Sequence, residues 1–184
     1  DEIVDVDDCM LASEANNTAR NEVRAWAKGA GTPAYDRRER AGVLRNLVVR
    51  EGRRTGQVQT RLVTSAAEIP RPPVDLHTVI EGPSGGTDGP TGVLGDEHLA
   101  EELSGLRLRI SPDAFFQTNT EMAERLYAVA GEYAGLSGGE RVFDLYCGIG
   151  TIGLSLASRA REVIGVELVE RAVADAIDNA RRNE

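Results

Sequence analysis

The fold is decided by the stretch Arg141-Val142-Phe143-Asp144-Leu145-Tyr146-Cys147-Gly148-Ile149-Gly150-Thr151-Ile152-Gly153. Residues 141–146 predict a β-strand, and residues 150–158 predict an α-helix. The glycines between them form the pattern G-x-G-x-x-G, in which glycine lets the backbone turn tightly and approach a bound ligand closely. The stretch therefore predicts a nucleotide-binding turn between a strand and a helix.

The residues after this turn extend the same pattern. Residues 162–167 predict a second strand and residues 169–182 a second helix, and this alternation is the opening of a parallel α/β sheet. Glu167 ends the second strand about 20 residues after the glycines, where Rossmann-type folds place an acid that accepts hydrogen bonds from ribose hydroxyls. We therefore expect a ligand that contains adenosine.

Asp144 helps to choose between two such ligands. In a dinucleotide site the strand runs directly into the first glycine, and the helix N-terminus faces a pyrophosphate. A carboxylate at the mouth of the strand favours instead a cationic ligand, such as S-adenosylmethionine with its ammonium and sulfonium groups. Asp144 as a helix-capping or turn residue is the other interpretation. An NAD(P)-dependent oxidoreductase remains an alternative, because the glycines and Glu167 would serve it equally well.

The chain before this stretch predicts a separate domain. The predicted elements are a helix (13–28), strands (43–50, 57–64 and 75–80), a short helix (97–103), a strand (106–110) and a helix from Asn119 or Thr120 to about residue 133. Glu101 and Glu102 are expected on the solvated surface of the short helix. The predicted fold class is α/β: an α+β central domain over residues 1–110, then the first half of a Rossmann-like domain over residues 111–184.

The bulk properties limit the function classes. The chain has 184 residues and a net charge of −9, which by itself argues against a basic nucleic-acid-binding surface, although several arginines cluster between residues 37 and 54. No stretch approaches the roughly 20 apolar residues of a membrane span. Two cysteines cannot form a disulfide framework, so a cytoplasmic protein is expected. We also expect a monomer. The chain does not begin with Met, so we expect a fragment or a processed product.

Three segments resemble the RNA (uracil-5-)-methyltransferase family, which includes ribosomal and transfer RNA methyltransferases of class I. The segments are Leu44 to Gly52 (LRNLVVREG), Ser111 to Asn119 (SPDAFFQTN) and Asp144 to Thr151 (DLYCGIGT). The second is similar to the Phe-x-Gln-x-Asn segment that precedes the catalytic domain in this family and is the most specific of the three. The resemblance that these segments mark extends over nearly the whole chain, from about residue 3 to residue 184.

The resemblance implies a set of S-adenosylmethionine contacts. Gln117 would contact the methionine part, Tyr146 and the turn from Gly148 to Gly150 would lie along the cofactor, and Glu167 would hold the ribose. Thr151 stands where relatives often have Asn, which makes its contact less certain.

Cys9 resembles the last ligand of a [4Fe-4S] cluster that some members carry. Four thiolates are needed for such a cluster, so three would have to lie upstream of this chain. The other interpretation of Cys9 is a small buried thiol.

The resemblance also implies a reaction for the full-length parent, methylation of C5 of uridine in RNA, with 23S rRNA as the expected substrate. In the family a cysteine thiolate adds to C6 of the base, C5 takes the methyl group, and a glutamate then removes the C5 proton. The segment that carries this nucleophile, Ser-Cys-Asn-Pro, does not occur in the 184 residues. Cys147 is not expected to replace it, so the chain alone is predicted to be inactive. A non-catalytic RNA-binding fragment remains the alternative outside enzymes.

Overall fold

The computed structural model describes residues 5–66, 68–79 and 92–184. Contacts divide the described chain into two units. The first contains the residues up to Glu51 and those from Val58 to Glu97, and the second contains Gly52–Gln57 and His98–Glu184. The loop Gly52–Gln57 and the hairpin that follows residue 97 therefore cluster with the residues after 110. The domain boundary at residue 110 stays a prediction.

The first unit is a helix with a four-stranded sheet. Its elements are α1 (Glu14–Gly29), β1 (Leu44–Glu51), β2 (Val58–Thr64), β3 (Leu76–Val79) and β4 (Gly92–Val93). The sheet order is β1-β2-β3-β4, with β2 and β3 parallel and the other two pairs antiparallel. The predicted helix and hairpin are confirmed. Val23 of α1 is buried in one cluster with Leu62 of β2, because the apolar stripe of the helix covers this sheet.

The second unit contains the predicted α/β pattern. Its elements are β5 (Leu99–Leu103), β6 (Leu106–Ile110), α2 (Thr120–Ala134), β7 (Arg141–Leu145), α3 (Thr151–Ala157), β8 (Glu162–Val166) and α4 (Glu170–Arg182). Strands β5 and β6 form an antiparallel pair, and β7 and β8 a parallel pair. Asn119 caps α2 by accepting a hydrogen bond from the Met122 N–H, and Gly135 ends the helix with a left-handed φ of 57°.

The predicted short helix over residues 97–103 is wrong, because these residues form strand β5. Leu99, Glu101 and Leu103 alternate inward along the strand, and Glu101 is only 1% exposed. Its carboxylate accepts hydrogen bonds from the backbone N–H groups of Arg53 and Arg54 and from the Thr120 hydroxyl. The expected solvated surface position of Glu101 is therefore wrong as well, since donors from distant segments satisfy its charge.

One hydrophobic core joins the elements of the second unit. Its buried members are Leu99, Leu103, Leu108, Ile110, Phe116, Ala123, Tyr127 and Ile149. Burial of each large apolar side chain contributes about 1.5–3 kcal/mol, so this core fixes Phe116 and the glycine turn at Ile149 relative to each other. None of the helices in the described part of the chain is long and apolar enough to cross a bilayer.

Candidate cofactor site

The glycine turn reverses the chain sharply at the carboxyl end of β7. Tyr146, Gly148 and Gly150 all have positive φ angles, of 64°, 54° and 86°. The N–H groups of Tyr146 and Cys147 both donate to the Val166 carbonyl of β8, at 2.8 and 3.1 Å. A left-handed conformation costs a non-glycine residue roughly 1–2 kcal/mol. Tyr146 bears that strain with a side chain that is 90% exposed, so its ring is available at the edge of the turn.

Asp144 holds the start of α3 in place. Its Oδ2 accepts a hydrogen bond of 2.8 Å from the Gly153 N–H, in the first turn of the helix. A Cβ at position 153 would lie 2.9 Å from this oxygen, which explains the glycine there. Burial raises the pKa of Asp144, and the Gly153 N–H opposes that shift. The geometry agrees with the turn-residue interpretation of Asp144, and its contribution to a cationic ligand stays a prediction.

Glu167 connects the glycine turn to the end of β8. Its Oε2 accepts from the Gly148 N–H at 3.0 Å, while Oε1 accepts from the N–H groups of Leu168 and Val169. These backbone donors, Val169 first, lower the pKa of the Glu167 carboxyl. The side chain is therefore ionised and lies where the carboxyl ends of two parallel strands meet. Such a position suits an acceptor for ribose hydroxyls.

Residues on either side of Gln117 anchor its segment in the second unit. Ser111 donates its N–H and its hydroxyl to the buried carboxylate of Asp175, each at 2.8 Å. Phe116 packs in the core that also contains Ile149 of the turn. Gln117 itself is exposed, so the predicted methionine contact is carried by a polar side chain on an anchored segment.

Thr151 lies inside the protein rather than at its surface. It is 9% exposed, and its hydroxyl is 3.3 Å from the hydroxyl of Tyr127 on α2. This contact joins the first residue of α3 to α2. The position favours a supporting role for Thr151 beneath the turn.

Cys147 has the properties of an unreactive thiol. A Cβ at Gly165 would lie 2.9 Å from its Sγ, so the side chain packs closely against β8. Burial raises the pKa of the Cys147 thiol, and the carboxylates of Asp144 and Glu167 raise it further. Because the thiolate is the nucleophilic form, these shifts agree with the prediction that Cys147 is not the nucleophile.

Cys9 belongs to the first unit, apart in sequence from these groups. Its N–H donates to the Asn17 side chain at 3.1 Å, and the Asn17 amide donates back to the Cys9 carbonyl. Within residues 5–66, 68–79 and 92–184, no three or more His, Cys, Asp or Glu side chains are grouped to hold a metal ion. The ligand role of Cys9 stays a prediction that needs thiolates from outside the 184 residues.

A concavity of about 420 Å³ lies beside α3, β8 and α4. Its walls are mostly apolar and include Val163, Val173 and Ala176, and it reaches Gly150 and Glu167 at the carboxyl end of the sheet. Glu167 and the glycine turn, which suit adenosine, lie at that end, and Arg161 and Glu162 line the opposite end. We therefore place the candidate site at the carboxyl edge and not along the apolar groove.

A family model for tRNA (uracil-5-)-methyltransferases matches residues 93–184, half of the chain. The chain belongs to this family. It is 36% identical to an uncharacterized RNA methyltransferase of Halalkalibacterium halodurans, with 98% of this chain and 43% of the relative covered. A relative in Lactiplantibacillus plantarum with the same description is 34% identical over 100% of this chain and 41% of its own length. The family assignment favours a methyltransferase over an oxidoreductase.

A solved structure supports the same fold for this member of the methyltransferase family. The tRNA (uracil-54, C5)-methyltransferase of Pyrococcus abyssi, in complex with S-adenosyl-L-homocysteine, matches with a TM-score of 0.84 and 30% identity. The match covers 99% of this chain and 47% of that protein. The α/β fold class is confirmed, and the chain spans less than half the length of the relatives it matches.

Sequence reasoning missed three buried polar side chains of the second unit, Glu101, Asp175 and Asn179. Helical periodicity held a signal for two of them. Asp175 and Asn179 fall on the same stripe of α4 as the buried Ala172, and polar residues on a buried stripe require specific partners. For Glu101 the signal was its alternation with Leu99 and Leu103, which is typical of the buried face of a strand.

Proposed function

We propose that this chain is part of an RNA methyltransferase that transfers a methyl group from S-adenosylmethionine to C5 of uridine. The observation that carries the proposal is the partly exposed, ionised carboxylate of Glu167, bonded to the Gly148 N–H of the strained turn. Family membership and the likeness to a methyltransferase with bound S-adenosyl-L-homocysteine support it.

The residues of the chain fit this cofactor in the following way. Glu167 accepts the ribose hydroxyls through the lone pairs that backbone donors leave unused. The backbone from Gly148 to Gly150, together with the exposed Tyr146 ring, lies along the cofactor, and Gln117 binds its methionine part. Asp144 and Thr151 hold the start of α3, and Asp144 adds negative charge near the site. Negative potential at this edge favours a ligand that carries an ammonium and a sulfonium group.

The methylation step itself requires groups that these residues do not supply. Bound S-adenosylmethionine supplies an electrophilic methyl group. C5 of uracil becomes nucleophilic when a cysteine thiolate adds to C6, and a base must later take the C5 proton so that the thiol leaves. We assign this cysteine and this base to the part of the full-length protein outside the 184 residues. The part described here binds and orients the cofactor.

The substrate is proposed to be RNA, with 23S rRNA as the first to test and tRNA as the comparison. The solved neighbour is named as a tRNA (uracil-54, C5)-methyltransferase, so both RNA classes belong in the test. A cytoplasmic, monomeric enzyme is proposed from the sequence. A [4Fe-4S] cluster bound through Cys9 is a further proposal, whose test is the iron and sulfide content of anaerobically purified full-length protein.

Calorimetric titration of the full-length protein with S-adenosyl-L-homocysteine tests the cofactor assignment. We expect Glu167→Gln to weaken the affinity about tenfold, because one charge-assisted acceptor for the ribose is lost. Glu162→Gln is the matched control: this exposed carboxylate lies at the other end of β8 and pairs with Arg141. Binding of NADH in place of S-adenosyl-L-homocysteine, or equal effects of the two substitutions, would contradict the assignment.

A further inference from the structure

Two polar side chains of α4 and that of its C-cap residue cover the free edge of strand β6. Asp175, Asn179 and Asn183 follow one another at intervals of four residues. Their carboxylate or amide oxygens accept from backbone N–H groups of β6 and the residue after it, at 2.7 to 2.8 Å. The donors are, in the same order, Ser111, Arg109 and Arg107. The amides of Asn179 and Asn183 also donate to the carbonyls of Arg109 and Arg107, at 3.1 and 2.9 Å.

The match between helix and strand follows from their dimensions. Four helical residues advance about 6.0 Å, and two strand residues advance about 6.6–6.8 Å. In the antiparallel pair with β5, alternate residues of β6 direct their backbone groups away from the partner strand. Side chains spaced four apart on a helix can therefore satisfy every outward-facing residue of a strand. Here they do so along the whole of β6.

Asn179 makes one contact that the other two side chains do not make. It is completely buried, and its Nδ2 also donates to the carbonyl of Ile149 at 3.2 Å. One amide thus bonds to β6 and to the middle residue of the glycine turn. Asn183 binds Arg107 with the same geometry but has no contact with the turn, and its remaining hydrogen bond stays within α4.

The turn depends on such a contact because its own backbone is permissive. Ile149 lies between Gly148 and Gly150, which both occupy the left-handed region and have no side chains to restrict them. The Ile149 side chain is held in the hydrophobic core at 2% exposure. The Asn179 amide holds its carbonyl. Together these contacts fix the orientation of the two flanking peptide units.

We propose that Asn179 is a positioning residue for the cofactor turn. By holding the Ile149 carbonyl, it sets the direction of the Gly148–Gly150 backbone against which S-adenosylmethionine lies, and it connects the turn to β6. The inference rests on the proposed function, because it concerns affinity for that cofactor.

Titration calorimetry of the full-length protein with S-adenosyl-L-homocysteine tests the proposal, since it measures affinity and stoichiometry separately. Asn179→Asp keeps the acceptor for the Arg109 N–H but removes both donors and places a charge against the Ile149 carbonyl. Asn183→Asp makes the same chemical change one helical turn later, without touching the glycine turn. We expect the first substitution to weaken binding on the order of tenfold at unchanged stoichiometry, and the second to leave the affinity within about twofold.

Asn179→Ser serves as a second variant in case the buried carboxylate prevents folding, because its shorter neutral side chain also releases Ile149. Weaker affinity at full stoichiometry in either variant supports the proposal. Wild-type affinity at full stoichiometry overturns it. Reduced stoichiometry with unchanged affinity in both variants also overturns it, because that result assigns Asn179 a role in stability alone. Failure of the wild-type protein to bind S-adenosyl-L-homocysteine would instead contradict the proposed function.

Discussion

The carboxyl groups of the two acidic residues of the candidate site have pKa shifts of opposite direction although their strands are neighbours. Asp144 is partly buried, and burial raises its pKa. Glu167 is also partly exposed, but three backbone N–H groups bind its carboxylate and lower its pKa. This contrast indicates different roles: Asp144 is suited to hold the start of a helix, and Glu167 is suited to accept hydrogen bonds from a ligand. Sequence position placed both at strand ends but could not distinguish the two environments.

The carboxylate of Glu140 leads to a prediction about how the free energy of unfolding depends on pH. Its hydrogen bonds, first from the Ser137 hydroxyl and then from backbone N–H groups, lower its pKa from 4.5 to about 2. A carboxyl whose pKa is lowered in the folded state stabilises the fold above its unfolded pKa, and this stabilisation is lost as the pH falls through the folded pKa. The difference in unfolding free energy between wild type and Glu140→Gln should therefore be constant above about pH 5 and shrink between about pH 4.5 and 2.

Denaturant unfolding of the full-length protein over this pH range measures that difference. Glu132→Gln, on the exposed surface of α2, is the control for general effects of acid. A Glu140→Gln difference that does not change down to about pH 2 would show that the capped carboxylate does not titrate as described.

At the scale of elements, Glu101 of β5 connects three segments of the second unit. Its carboxylate bonds to the loop before β2 through Arg53 and Arg54, and to the first residue of α2 through Thr120. Glu101→Ala leaves these donors without an acceptor, so we expect a loss of about 3 kcal/mol in the free energy of unfolding. The neighbouring Glu102 is exposed, and Glu102→Ala should change it by less than about 0.5 kcal/mol. Denaturant unfolding measures both changes. Equal losses of unfolding free energy in the two variants would contradict the connecting role of Glu101.

The same elements show what sequence could and could not predict. Strands β7 and β8 and helices α3 and α4 follow from apolar runs, glycines and caps, which are local signals. Residues 97–103 are predicted as a helix with Glu101 and Glu102 on its solvated surface, whereas the alternation of Leu99, Glu101 and Leu103 belongs to strand β5. The donors that satisfy Glu101 come from residues 53, 54 and 120, and pairing over such distances in sequence leaves no local pattern.

The candidate site also contains features that the sequence predicts and features that it does not. The glycine turn, Glu167 and the Gln117 segment were predictable from motif and spacing. The contact of Asn179 with Ile149 was not, because it spans 30 residues and depends on how α4 packs against β6. Polar residues at Asp175 and Asn179 on an otherwise small-residue stripe were the available signal.

At the scale of the whole molecule, the chain covers less than half of its relatives' length, and the proposed nucleophile and base lie outside it. We therefore expect the 184-residue polypeptide alone to transfer no methyl group from labelled S-adenosylmethionine to uridine-containing RNA. Incorporation of label is the measurement, with the full-length protein as the positive control. Methylation of RNA by the 184 residues would show that a group within them, Cys147 first, performs the chemistry.

The central claim is tested most directly by nucleoside mass spectrometry of RNA after reaction with the full-length protein and methyl-labelled S-adenosylmethionine. Unmodified 23S rRNA and tRNA transcripts are the two substrates. We predict that the label appears in 5-methyluridine in one of these RNAs. Label in a different nucleoside, or no label in either RNA from a protein that binds S-adenosyl-L-homocysteine, would contradict the assignment of a uridine C5-methyltransferase.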